Sequence, residues 1–130
     1  KLGAKGLTVD SDKFNITIAQ SFEDKDDAVG EGRLVLTGGT GSTKLTGDLS
    51  NLSFVEVKGG TVDICGRTVR NLVLNGGVLK VDPQGPITVT GELQLEIVRL
   101  ALAEGMTLGN TYSVLKTAVE AQDYTVTGIE

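Results

Sequence analysis

Carboxylates are the only abundant groups in this 130-residue chain that could do chemistry: it holds 17 Asp and Glu, one cysteine and no histidine. Without an imidazole, no Ser-His-Asp or Cys-His pair can activate a nucleophile, and the usual zinc constellations cannot be assembled. Two kinds of carboxylate chemistry remain. Acidic side chains gathered in one loop can hold a hard cation such as calcium, and the densest cluster is S-F-E-D-K-D-D-A-V-G-E-G at 21–32. Its candidate ligands are Asp24, Asp26 and Asp27, but their order departs from D-x-D-x-D-G and no glycine stands at the sixth position. A solvated acidic loop without metal is therefore expected. Paired carboxylates can also activate water against a polysaccharide, with Asp48, Asp63 and Asp82 as candidates. Each stands beside a turn, where aspartate has a local structural reason to be, so no catalytic residue is expected. Cys65, in T-V-D-I-C-G at 61–66, reads as a buried small apolar residue rather than a nucleophile. None of the glycine pairs matches G-x-x-x-x-G-K-[ST], and no cofactor is expected.

The elements that would position these groups are written in a repeat. R-L-V-L-T-G-G at 33–39 returns as F-V-E-V-K-G-G at 54–60, N-L-V-L-N-G-G at 71–77 and R-L-A-L-A-E-G at 99–105. Each copy holds two apolar residues spaced by two: Leu34 and Leu36, Val55 and Val57, Leu72 and Leu74, Leu100 and Leu102. Residues two apart share a face of a strand, and the closing glycine supplies the positive φ that turns the chain. The four pairs are thus expected to point inward and stack on one another. A strand with one apolar face cannot bury it alone, so the copies must form a solenoid.

Short alternating stretches fill the rest of the chain. Strands are expected at 7–9, 14–18, 61–64, 78–81, 87–91, 93–97, 106–108, 112–115 and 124–127, with D-P-Q-G-P at 82–86 as the strongest turn. Val98 breaks the apolar phase of L-Q-L-E-I, which predicts a bulge or corner near Ile97 and Val98 instead of a helix over 92–103. Levels of roughly 20 residues would give about six short coils. A single β-helix domain over 1–130 is expected, as a piece of a longer chain, with 21–32 protruding from it.

Composition narrows the function. Only 4% of residues are aromatic against 18 glycines, which disfavours the alternative of a β-sandwich filled by large rings. A net charge of −5 argues against a nucleic-acid partner, and no apolar run approaches the roughly 18 residues of a membrane span.

Two features together resemble the passenger region of bacterial autotransporters and related large surface adhesins. One is the recurring strand-Gly-Gly unit; the other is L-G-N-T-Y-S-V-L-K-T-A at 108–118, which is similar to a G-x-T-Y-x-V-L-x-A phrase that closes such segments. The resemblance covers most of 33–118. It implies a right-handed parallel β-helix, a cell-surface or secreted location, and a role in adhesion or aggregation. The expected function is a non-enzymatic structural or adhesive segment whose partners are a host cell surface, matrix or glycan, or further copies of itself. One alternative is a self-assembling β-helix polymer resembling bactofilin. The other is a carbohydrate-binding β-sandwich, disfavoured because sugar stacking needs exposed aromatics and the chain has no Trp.

Overall fold

The computed structural model describes residues 6–22, 32–104, 111–117 and 123–127, and all regular structure among them is β. In chain order the strands are β1 (Leu7–Asp10), β2 (Asn15–Ile18), β3 (Arg33–Thr37), β4 (Ser42–Leu45), β5 (Phe54–Val57), β6 (Thr61–Asp63) and β7 (Thr68–Val69). They continue with β8 (Asn71–Asn75), β9 (Val78–Val81), β10 (Ile87–Val89), β11 (Leu93–Ile97), β12 (Leu100–Leu102), β13 (Thr111–Thr117) and β14 (Asp123–Thr127). Three sheets result, in the orders β1-β3-β5-β8-β11, β2-β4-β6-β9-β12 and β7-β10-β13-β14. Successive strands never pair side by side until β13 meets β14, because the chain passes from one sheet to the next at each corner and returns one level higher. Every pairing up to that hairpin is parallel. The fold is a parallel β-solenoid, and the sandwich alternative is overturned.

The solenoid makes about three full turns rather than six coils. A full turn spends one strand on each of three faces, as β5-β6-β7, β8-β9-β10 and β11-β12-β13 do. Below them, β1-β2 and β3-β4 add two levels to the first and second faces with no described strand on the third.

Parallel register turns the apolar pairs into columns. On the first face Leu7, Leu34, Val55, Leu72 and Leu93 lie in one column, with Val9, Leu36, Val57, Leu74 and Leu95 in the next. On the second face Ile16, Thr43, Val62, Leu79 and Leu100 form one inward column. Leu34, Leu36, Val55, Val57, Leu72 and Leu74 are buried, so the inward parity holds for three of the four copies. The fourth is displaced: Leu100 and Leu102 stack on Leu79 and Val81 of the second face, and the strand above Leu72 and Leu74 is β11. An apolar i, i+2 pair is common to both faces, so the pattern alone does not say which sheet a copy joins. Register shifts between Leu95 and Ile97, and the chain turns the corner beyond, as the broken phase at Val98 predicts.

Glycines set the first corner. Gly59 and Gly60 lie over Gly38 so closely that a Cβ on Gly59 would stand 2.7 Å from the Gly38 carbonyl oxygen, and Gly77 repeats this against Gly60 one level up. At the third corner Asn71 clamps three levels: its Nδ2 donates to the Ser53 carbonyl at 2.7 Å and its Oδ1 accepts the Glu92 amide at 2.8 Å.

The two ends of the acidic segment are bonded into the stack. Phe22 packs against the core and its amide donates to the Asp48 carbonyl at 3.0 Å, while the Gly32 carbonyl accepts the amides of Ser53 and Phe54. The candidate calcium ligands Asp24, Asp26 and Asp27 lie outside the described residues, as does the strand expected at 106–108.

Candidate functional site

The carboxylates singled out by type prove to be turn-makers. Asp48 Oδ1 accepts both the amide and the hydroxyl of Ser50, at 2.9 and 2.7 Å. Asp63 Oδ1 accepts the Cys65 amide at 3.1 Å, and Asp82 Oδ1 accepts the Gln84 amide at 2.9 Å. Asp10 does the same for Asp12 at the first corner. Each aspartate satisfies the amide two residues on, the local geometry of an Asx turn. The Ser50 hydroxyl and then its amide hold the Asp48 carboxyl below the usual range, with Arg67 adding to the effect. For Asp63, burial pushes the pKa up, but the Cys65 hydrogen bonds and the charges of Lys80 and Lys44 outweigh it and the net direction is down. A lowered pKa suits a carboxylate that stays ionised, not one that must carry a proton to a leaving group. Among the described residues no three His, Cys, Asp or Glu side chains gather closely enough to hold a metal ion.

Cys65 is half-buried at the second corner, where its thiol donates to the Lys80 carbonyl at 3.5 Å; the inward position beside it belongs to Ile64. Burial, then Asp63 and Asp82, push the thiol from 9.0 up to about 12. A thiol raised in the folded state adds stability that is complete below pH 9.0 and is lost between 9.0 and about 12, as the unfolded chain ionises first. It also reacts slowly. At pH 8 the thiolate should be about a thousandfold scarcer in the folded chain than in urea, so alkylation by iodoacetamide should accelerate strongly on unfolding. Equal rates in buffer and in urea would contradict this placement.

On the second face, polar side chains face solvent in ordered rows. Thr17, Lys44 and Asp63 share a register column, which Lys80 and Ala101 continue. Lys80 Nζ stands 3.5 Å from Asp63 Oδ2. The parallel column of Asn15, Ser42 and Thr61 is joined by a 2.8 Å hydrogen bond from the Ser42 hydroxyl to Asn15 Oδ1. Between the two columns lies a shallow trough of about 370 Å³. A second concavity, of about 450 Å³, opens at the corner between Asp48 and Arg67. The first face offers less to a ligand, because Arg33 is already committed: it bonds Glu56 at 2.9 Å and lies over the Phe54 ring at 4.5 Å.

The polar rows are not legible in the repeat R-L-V-L-T-G-G, because three of its four copies lie on the first face and the other second-face strands carry no copy of it. Aligning N-I-T-I, S-T-K-L, T-V-D-I and V-L-K-V on their inward pairs brings Thr17, Lys44, Asp63 and Lys80 into one column. No protein-family model, curated protein or solved structure matches the chain. No helix among the described residues is long and apolar enough to cross a membrane.

Proposed function

We propose that this chain is a non-enzymatic structural and adhesive segment of a bacterial surface or secreted protein, of the autotransporter-passenger kind, and that it works through the second face. The observation that supports this reading is the pair of ordered polar columns, with Lys44, Asp63 and Lys80 alternating in charge over a shallow trough. Parallel strands repeat such side chains about every 4.8 Å, which offers an extended ligand many similar contacts and no deep anchor. Host-cell or matrix glycans have the hydroxyls and charges to use them.

Each copy then binds weakly, and dense display supplies the rest by avidity. Beads densely coated with the chain should bind matrix glycans about 100-fold or more tighter than the soluble chain does. The double substitution Lys44→Gln with Lys80→Gln should abolish most of the bead binding and lower the melting temperature only slightly, since the pair it breaks, Lys80 with Asp63, lies at the surface. Tight saturable binding of a small metabolite by the soluble chain, or turnover of a polysaccharide, would overturn the proposal.

A further inference from the structure

We propose that Asn75-Gly76 is a site of spontaneous covalent modification, which the stacked levels hold closed and which converts to aspartate or isoaspartate whenever that corner opens. Asparagine is followed by glycine at this one place in the chain. Thr37, Lys58 and Asn75 occupy the same position on successive levels, each following the paired column of Leu36, Val57 and Leu74. A glycine comes next in all three copies, where successive corners approach closely: a Cβ on Gly76 would stand 2.6 Å from the Lys58 carbonyl oxygen. Only at Asn75 does that glycine follow a side-chain amide.

The reaction needs no partner but water. The Gly76 backbone nitrogen, deprotonated by base, attacks Cγ of Asn75; the new N–Cγ bond closes a five-membered succinimide, the Cγ–Nδ2 bond breaks, and the nitrogen leaves as ammonia with the proton. Water then opens the ring at either carbonyl. Attack at Cγ gives aspartate, whereas attack at the main-chain carbonyl gives isoaspartate, whose backbone runs through the side-chain carbon. No electron changes hands. Glycine in the second place leaves the attacking nitrogen unhindered, because it has no Cβ.

The fold opposes this step through the backbone alone. The Gly76 N–H donates to the Ile97 carbonyl at 3.0 Å, so the nucleophile is committed to the neighbouring level. Asn75 is the last residue of β8, and in extended backbone the next amide is swung away from the residue's own side chain, so ring closure requires leaving the strand conformation. The side chain itself is unrestrained. Asn75 is half-buried and its amide makes no hydrogen bond to the described residues, whereas Asn71 in the same strand has both ends of its amide bonded. Opening of the corner therefore controls the chemistry, and the isoaspartyl product records it: an added backbone methylene has no room where Gly76 and Gly77 lie on Lys58, Gly59 and Gly60.

The test incubates the chain in mildly alkaline buffer, with and without urea, in water enriched in heavy oxygen, and follows the peptide containing Asn75 by mass spectrometry. Conversion in urea should outpace conversion in buffer by about tenfold or more, the protection expected of an amide held in a ladder. Leu74→Ala loosens the column beside Asn75 and leaves the reacting groups alone; it should speed conversion in buffer but not in urea, and Val57→Ala serves if that variant does not fold. Asn75→Gln should abolish the fast conversion in urea, because its side chain would have to close a larger ring. Isoaspartyl chains, separated after reaction and refolded, should melt below the Asn75→Asp variant, which carries the same charge on an ordinary backbone. Equal rates in buffer and urea, a rate in buffer that neither destabilised variant changes, or an isoaspartyl chain that melts with Asn75→Asp would overturn the proposal.

Discussion

Replacing Leu74 by alanine should lower the stability of the fold by about 2–5 kcal/mol, because the lost methyl groups leave a cavity that neighbouring levels cannot close. Leu74 is buried between Val57 below and Leu95 above, in a column held by parallel hydrogen bonding on both sides. Val73, one residue earlier, sits in the outward column with Glu56 and Gln94. It is nevertheless only 7% exposed, although it takes no part in the central apolar cluster. Val73→Ala should thus cost something, about 1 kcal/mol from lost apolar contact, and clearly less than Leu74→Ala. Urea unfolding of the two variants, fitted with a common slope, gives the comparison. Equal losses would reject the assigned parity of β8.

What could be read from the chain was what an alternating pattern carries on its own. Leu34 with Leu36, Val55 with Val57, and Leu72 with Leu74 declare their face because the side-chain period of a strand is two, and the glycines after them declare a corner. The pattern is blind to partner and direction. R-L-A-L-A-E-G at 99–105 obeys the same rule as the other copies, yet its strand joins the second sheet. The strand that continues the first sheet, L-Q-L-E-I at 93–97, has no closing glycine to mark it. Likewise the alternation over 124–127 reads identically whether β14 lies parallel to β13 or, as it does, antiparallel. At the site, Asp48, Asp63 and Asp82 were legible as turn residues because an Asx turn is local. The column of Thr17, Lys44, Asp63 and Lys80 was not, since its members are 27, 19 and 17 residues apart and only register assembles them.

A substitution of the same size, Gly to Ala, should separate backbone strain from crowding between levels. Gly66 and Gly77 both hold positive φ, +76° and +65°, a conformation that costs an alanine about 1–2 kcal/mol at either site. They differ in what a Cβ would touch. At Gly66 nothing lies within 4 Å, whereas at Gly77 the new atom would stand 2.8 Å from the Gly60 carbonyl oxygen and 2.9 Å from two atoms of Gly59. Those are backbone atoms of the level below, held at the strand spacing of about 4.8 Å by the hydrogen bond from Val78 to the Gly60 carbonyl. They cannot step aside as a flexible side chain would. Relief requires prying two levels apart at the corner, where β5 and β6 meet β8 and β9, and the loss spreads because each level is stabilised mainly by its neighbours. Gly66→Ala should therefore cost only the strain, while Gly77→Ala should cost about 3–5 kcal/mol in all, strain and overpacking together. Thermal and urea unfolding of the two variants would measure the difference. If both lost the same amount, the close approach of successive corners would not be what demands glycine there, and the Gly-Gly of the first three copies would be only a turn.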